Sequence, residues 1–253
     1  MTDVTTDTDA QVEPTAPVGS TWRLLGVVRA DASRAPDIDY VVHGSVAAAL
    51  VTHDAGAPAR ELLREHVALI ERVFDEGPIL PARYGTLVAD RATLVDVFLA
   101  PHEEELAAAL DEVSGRAEVH VRIEQDEDGA VAEVIRRDPA LRELAQSLLA
   151  DDDTSPYSGR VRLGERIARA VAELTEADAN AVVAMLSPLA VSVRGSAPGD
   201  SAVVLDASYL IDLDRYDEFD SKVGEVIETL AGRARVTALG PQAPYSFADL
   251  LGG

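Results

Sequence analysis

Two short proline motifs constrain this chain more than any other feature of its sequence. The first, residues 76–85, has the sequence EGPILPARYG, and the second, residues 240–247, has the sequence GPQAPYSF. Each contains Gly-Pro, which ends a regular element because glycine tolerates a positive φ and proline cannot continue a helix. A second proline and then an aromatic residue follow in both motifs. The repetition predicts two domains, each finished by a rigid turn.

The first motif also predicts a candidate binding edge. Ile79 and Leu80 form a short apolar strand. Pro81 limits this strand to the edge of a sheet, because proline has no N–H to donate to a neighbouring strand. Arg83 and Tyr84 follow directly, and we expect them beside an exposed edge. The Arg83 guanidinium can bind a partner's carboxylate or form an internal salt bridge.

The second motif supplies two aromatic candidates for the same role. Tyr245 and Phe247 follow its second proline. Large aromatic side chains anchor many protein interfaces. The alternative is that both rings pack against their own sheet, and the sequence leaves both possibilities open.

Composition excludes several classes of function. A chain of 253 residues is long enough for one large or two ordinary domains, and its 47% hydrophobic content is enough for their cores. The formal net charge of -23 would repel a nucleic acid backbone or an anionic membrane surface. Cysteine is absent, so disulfides and thiolate metal sites are excluded. These features predict a protein that binds neither nucleic acid nor membrane.

The location of the protein is predicted from the same sequence. No apolar run approaches the roughly 18 to 20 residues of a membrane-spanning helix, and the N-terminus lacks the pattern of a signal peptide. We therefore expect a cytoplasmic protein. Residues 1–20 contain no lysine or arginine and few large apolar residues, which predicts a disordered acidic tail.

The first half of the chain predicts an α+β domain over residues 21–127. A strand of β-favouring residues begins at Trp22, and two more strands are expected in 38–46 and 47–54. After Pro58, apolar positions recur at helical spacing. That face comprises Leu62, Leu63, His66, Val67, Ile70, Val73 and Phe74.

Two further elements complete the predicted first domain. Asp90 can cap the first of two helices that end near Gly115. Residues 118–123 then alternate polar and apolar side chains, which predicts a strand with one buried face. We expect this strand to complete the first domain, with His120 and Arg122 pointing away from the core.

The second half predicts a helical connector over 128–156 and a ferredoxin-like α+β domain over 157–253. A break at Asp138-Pro139 interrupts the connector, and an acidic run at 151–156 marks the boundary to the second domain. Two helices, 157–174 and 176–186, are expected next, with Thr175 capping the second. A strand, a turn at 196–200, a second strand, an amphipathic helix (216–230) and a last strand (235–239) complete the ferredoxin-like pattern.

Motifs for common catalytic and cofactor sites are absent from the sequence. Phosphate-binding glycine loops, helical zinc motifs and a G-x-S-x-G elbow do not occur. Residues 124–129 place carboxylates and a glycine as a calcium loop does. However, Ile135 stands where that loop requires glutamate, which favours a plain acidic turn. We expect no catalytic residue, no cofactor and no metal.

One enzymatic alternative remains open at this point. His66 lies on the apolar face of its helix, where it is either a core histidine bonded to the backbone or a ligand or base. A small-molecule-binding or hydrolytic α+β enzyme would use a site around His66, Arg83 and His120. A third possibility is a structural component of a larger assembly.

Several segments, in order along the chain, resemble the gas vesicle protein GvpL/GvpF family. They are Leu25 to Val28, His66 to Ile70, Leu80 to Thr86, Glu118 to Val121, Ser208 to Asp212 and the second proline motif. The resemblance runs from about Trp22 to Phe247. It implies an accessory protein of gas vesicle formation that is not an enzyme, with two α+β domains, the second ferredoxin-like.

The resemblance also implies partners. Members of this family are expected to associate with the small shell-forming subunit and with other accessory proteins during assembly, in the cytoplasm and at the gas vesicle. The contact regions we expect are the first sheet and the two proline motifs. Their candidate residues are Pro81, Arg83, Tyr84, Tyr245 and Phe247. The oligomeric state is not predicted.

Overall fold

The computed structural model describes residues 21–150, 157–195 and 202–249. The predicted acidic tail (1–20), the acidic break (151–156) and the turn at 196–200 lie outside these residues. Within them the chain forms two antiparallel sheets covered by helices, which confirms the α+β class. No helix in the described ranges is long and apolar enough to cross a membrane.

The first sheet lies between two helical layers. Its strands are β1 (Trp22–Arg29), β2 (Asp39–His43), β3 (Val46–Thr52), β4 (Ile79–Pro81) and β5 (Leu87–Val88). The strand order is β2-β3-β1-β4, and β5 also pairs with β1. Helix α1 (Ala59–Glu76) covers one face. The other face is covered by α2 (Arg91–Leu94), a π-helical turn (Val95–Leu99) and α3 (Ala100–Val113).

This arrangement explains the continuous apolar runs of the central strands. Strands β1 and β3 are buried along almost their whole length, as expected for strands covered on both faces. Gly26 in β1 allows β4 to approach closely, because a Cβ there would lie 2.4 Å from the carbonyl oxygen of Leu80. Helix α1 starts after Pro58, as predicted.

The second sheet has the ferredoxin-like arrangement. Its strands are β6 (Arg116–Gln125), β7 (Ser192–Gly195), β8 (Val203–Asp212) and β9 (Ala234–Gln242), in the order β7-β8-β6-β9. Its helices are α4 (Glu127–Arg137), α5 (Pro139–Ala150), α6 (Tyr157–Leu186) and α7 (Tyr216–Leu230). The elements follow the β-α-β-β-α-β sequence of that fold, and the described part of the first crossover contains α4, α5 and α6.

Strand β6 was predicted to complete the first domain, but its strand pairing places it in this second sheet and not in the first one. It pairs with β8 on one side and β9 on the other. Val119, Val121 and Ile123 face the helices of the second sheet, and His120 and Arg122 face away from that core, as predicted. The alternation identified the buried face, but the same pattern fits either sheet.

Helix α6 is continuous, so the two helices predicted on either side of Thr175 are one helix of 30 residues. The Thr175 hydroxyl donates to the carbonyl of Val171 at 2.9 Å, inside the helix, instead of capping a new one. The break at Asp138 is confirmed, since its carboxylate accepts the N–H groups of Ala140 and Leu141 at the start of α5.

The second proline motif also differs from its prediction. Strand β9 does not end in a turn at Gly240 but continues to Gln242. Gly240 has a φ of 148° and packs against β6, where a Cβ would lie 2.6 Å from the carbonyl oxygen of Glu118. A register shift opposite Glu118 accommodates the motif. The second motif therefore does not begin with a turn, and the first motif does not finish its half, because β5, α2 and α3 follow it and pack in the first sheet and its core.

Candidate binding surface

The two proline motifs, distant in sequence, meet in the structure. Residues 81–83 form one side of a groove of about 370 Å³. The other side is formed by Tyr245, Ser246, Ala248 and Asp249. We call this the motif groove, and we call residues 243–249 the C-terminal segment. The sequence analysis predicted both motifs as contact regions, but it did not predict that the two motifs lie next to each other.

The first motif reaches the groove through a strand that is buried. Gly77 ends α1 by donating its N–H to Phe74, and β4 then pairs with β1. Ile79, Leu80 and Pro81 are all buried, so the exposed edge expected here is wrong. Helices α1 and α3 and the C-terminal segment contact β4. Pro81 is therefore buried, and it lines the motif groove.

A buried carboxylate fixes the C-terminal segment to the second sheet. Glu118 is only 2% exposed, and its oxygens accept hydrogen bonds from the N–H (2.7 Å) and the hydroxyl (2.8 Å) of Ser246. The hydroxyl of Ser208 donates to the same carboxylate at 2.7 Å. Several donors compensate for the burial of this group, which would otherwise be costly.

Arg194 adds a second attachment from strand β7. Its guanidinium donates to the carbonyl of Ser246 at 2.7 Å and to the carboxylate of Asp249 at 2.6 Å, which lowers the pKa of Asp249. The same guanidinium lies 5.1 Å from the ring centre of Phe247. Phe247 itself is buried in the core of the first sheet. The ring thus packs within its own protein.

Tyr245 is also engaged internally. Its hydroxyl donates to Glu71 on α1 at 3.2 Å, and its ring packs against the core between α1 and the first sheet. Burial raises the pKa of Glu71, although the hydrogen bond from Tyr245 opposes the shift. Burial and the nearby charge of Glu71 raise the pKa of Tyr245. Tyr245 is half-buried, so only part of it lines the groove.

Arg83 and Tyr84 are the predicted candidates that remain at the surface. Arg83 is exposed, and no hydrogen bond or salt bridge joins its guanidinium to any residue in the described ranges. Tyr84 is 40% exposed. Its hydroxyl donates to the carbonyl of Ala59 at 3.1 Å, and its ring lies 5.5 Å from that of His66. The side of Tyr84 that packs on α1 is therefore fixed.

An apolar strip on α1 extends this surface. The sequence analysis placed its residues on the apolar face of the helix but did not predict that part of the strip stays exposed. Leu63, Val67 and Phe74 lie at helical spacing along one flank, and Glu71 lies on the same flank between Val67 and Phe74. The C-terminal segment covers the end of this flank at Glu71. Leu63 and Val67 remain 44% and 42% exposed. The predicted apolar face of α1 has seven members, which is more than contact with a single sheet buries. This width is the feature of the sequence that indicates an exposed part of the face.

Of the three residues of the enzymatic alternative, His66 and Arg83 lie near each other, because both chain neighbours of Arg83 contact His66. Neither residue bonds to His120 among the described contacts. His66 is buried beside the first sheet, and its Nε2 lies 3.2 Å from the carbonyl of Ala82. Burial lowers the pKa of His66. It is a core histidine bonded to the backbone. His120 lies in the second sheet, with Nε2 3.1 Å from Asp206, and Arg83 contacts neither histidine by a hydrogen bond.

His120 does take part in an arrangement of the serine-histidine-aspartate type. Its Nδ1 lies 3.1 Å from the hydroxyl of Ser208, and its Nε2 contacts Asp206. Ser208, however, is buried and donates its hydroxyl proton to Glu118. A nucleophilic serine must be accessible and must give its proton to the base. The arrangement therefore holds the C-terminal segment and is not poised for hydrolysis.

The candidate calcium loop is a helix cap. The Asp126 carboxylate accepts the N–H of Gly129 at 2.9 Å and so begins α4. No group of three or more side chains suited to a metal occurs in the described part of the chain.

Comparison with known proteins gives a consistent result. The family model described as "Gas vesicle synthesis protein GvpL/GvpF" matches residues 20–249. Gas vesicle protein F of Streptomyces sp. (strain CB03234) is 28% identical over 192 residues, 76% of this chain and 79% of that protein. Gas vesicle protein F of Haloferax mediterranei is 24% identical over 87% of this chain and 84% of its own length.

Two solved structures share the fold. The crystal structure of the gas vesicle protein GvpF from Anabaena sp. PCC7120 has a TM-score of 0.71 at 20% identity, covering 90% of this chain and 98% of that one. GvpF from Microcystis aeruginosa has a TM-score of 0.69, also at 20% identity, covering 92% of this chain and 99% of that one.

Proposed function

Because the chain belongs to the GvpL/GvpF family and so takes part in gas vesicle formation, we propose that it binds the small shell-forming subunit during assembly. The proposal places this step in the cytoplasm, before the subunit enters the vesicle wall. Other accessory proteins of assembly are further partners under this proposal.

The observation that supports the proposal most is the surface beside the motif groove. It combines the guanidinium of Arg83, which bonds to no described residue, with the exposed side chains of Tyr84, Leu63 and Val67. A wall that separates gas from water needs a building block with apolar surface, and such a block must be covered before it is incorporated. The apolar strip on α1 supplies matching area, and Arg83 supplies a partner for a carboxylate.

The charge of the molecule fits a carrier. A formal net charge of -23 opposes self-association and keeps the loaded protein dispersed. Binding by a surface of this kind needs no cofactor or catalytic group.

Charge reversal at Arg83 tests the proposal. We expect Arg83→Glu to weaken capture of the purified shell subunit by about tenfold or more, since a lost ion pair is replaced by repulsion. The matched control is Arg169→Glu on α6. Arg169 is also exposed, forms no salt bridge with a described residue, and lies on a helix that packs on the second sheet.

The possible results distinguish an error in the assigned contact surface from an error in the proposed function. Equal losses in both variants would indicate a non-specific charge effect. Unchanged capture by a folded Arg83→Glu variant would remove Arg83 from the contact surface. If the unaltered protein captures no shell subunit, the proposed function itself fails.

A further inference from the structure

The outer edge of strand β9 is an unused site for pairing. β9 is the last strand of its sheet, and no described strand pairs with its outer side. The N–H of Asp126 donates to the carbonyl of Arg233 at 2.9 Å. Hydrogen-bonded and non-hydrogen-bonded residue pairs alternate along an antiparallel pair of strands, so this bond determines which residues of β9 bond to β6. The N–H and C=O groups of Val236 and Ala238 therefore point away from β6. Such free backbone groups are a template for another strand.

One flank of helix α7 lies over this edge. The Tyr216 hydroxyl donates to the carbonyl of Gly240 in β9 at 3.2 Å, so that this flank of the helix reaches the strand. Ile227 lies three helical turns after Tyr216 and hence on the same flank. It is 48% exposed. Gly224 on this side has no side chain and open space around it, which leaves room for the side chains of an added strand.

The charges beside the edge are negative. Asp217, Asp220 and Glu228 are exposed on α7 and flank Ile227. Strand β9 itself carries one charged residue, Arg235. A segment that pairs with β9 therefore meets an apolar flank bordered by carboxylates, which favours apolar side chains together with a lysine or arginine.

The same charges argue against pairing with a second copy of this chain. Antiparallel pairing of two β9 strands would place two α7 helices side by side. Each helix carries five acidic residues and one lysine. The whole chain has a net charge of -23, which adds to the repulsion.

We infer that the outer edge of β9 binds an extended segment of the shell-forming subunit by strand addition, with alternate apolar side chains against Ile227 and a basic side chain near Asp220. This inference rests on the proposed function. It adds a second contact with the shell subunit, which the backbone of β9 forms, to the contact beside the motif groove. Along the chain, β9 leads directly into the C-terminal segment that lines the motif groove.

Hydrogen exchange locates this contact. In the full-length protein mixed with purified shell subunit, the amides of Val236 and Ala238 are expected to exchange at least about tenfold more slowly than in the protein alone. Capture of the subunit without added protection at these amides overturns the inference and leaves the proposed function standing. Absence of capture overturns both. Protection that appears in the protein alone and rises with its concentration indicates a second copy and also overturns the inference.

Two pairs of variants complete the test. Ala238→Pro removes the outward N–H without removing a bond to β6, and is expected to weaken capture by about tenfold, whereas Ala238→Ser keeps the N–H and the affinity. Asp220→Lys is expected to weaken capture, while Asp96→Lys, at an exposed site in the π-helical turn, leaves it unchanged. Unfolding curves that match the unaltered protein establish that the variants fold. If folded Ala238→Pro captures the subunit as well as Ala238→Ser does, the edge is not the site.

Discussion

Tyr209 is a buried residue whose hydroxyl group forms no visible contact that stabilises the fold. It lies at the centre of the second core, 5.4 Å from the ring of Phe219, and its buried hydroxyl has no partner among the described residues. Burial raises the pKa of Tyr209 to about 12. We expect Tyr209→Phe to raise the free energy of unfolding by about 1 kcal/mol, because a buried, unpaired hydroxyl carries a desolvation cost.

The matched control for this change is Tyr245→Phe, measured in the same urea titration. Tyr245 donates its hydroxyl to Glu71, so its loss is expected to lower stability. A comparable loss of stability in both variants would contradict the assignment of Tyr209 as unsatisfied.

Glu71 predicts a pH dependence. Burial raises its pKa above the ordinary value of 4.5, so the folded protein holds this proton more tightly than the unfolded chain does. The resulting stabilisation is present below pH 4.5 and is lost as the pH rises through the raised pKa. Relative to Glu71→Gln, the unaltered protein should therefore lose stability over this range. A difference between the two proteins that grows in the opposite direction in urea titrations would show that the hydrogen bond from Tyr245 outweighs burial.

At the residue scale, local patterns were predicted and distant contacts were not. Asp90 accepts the N–H of Thr93, as its predicted capping role requires, because a cap depends only on residues beside it. The bond from Glu118 to Ser246 joins positions 128 residues apart. Nothing in the local sequence of Glu118 marks it as the buried acceptor for the C-terminal segment.

Helix α6 provides a prediction at the scale of an element. If Thr175 lies inside a continuous helix, Thr175→Ala should leave stability unchanged or raise it by about 0.5 kcal/mol, since alanine has the higher helix propensity. If Thr175 capped a second helix, the same change would cost about 1 kcal/mol. Thermal unfolding of the variant distinguishes these outcomes, and a clear loss would contradict the continuous helix.

The sequence predicted which segments form helices or strands, but it did not predict which strands pair with each other. Periodicity identified β6, α1 and α7, because the spacing of apolar residues follows directly from strand and helix geometry. It did not place β6 in the second sheet. Pairing is decided by cross-strand contacts with β8 and β9, which come from the last quarter of the chain.

The C-terminal segment joins the two sheets at the scale of the whole molecule. Phe247 packs in the core of the first sheet, while Ser246 bonds to Glu118 of the second. We expect Phe247→Ala to lower the free energy of unfolding by about 3 kcal/mol, through the loss of buried area and the cavity left behind. Leu239→Ala, at an exposed position on β9, is the control and should change stability by less than about 0.5 kcal/mol. Equal effects in denaturant titrations would contradict this role.

The central claim concerns a charged molecule that keeps an apolar building block in solution. The most direct measurement is the fraction of purified shell subunit that stays in the supernatant after centrifugation, as this protein is added in increasing amounts. We expect that fraction to rise in proportion to the added protein until the subunit is bound, and to rise much less with Arg83→Glu. A shell subunit that sediments equally with and without the folded protein would contradict the account.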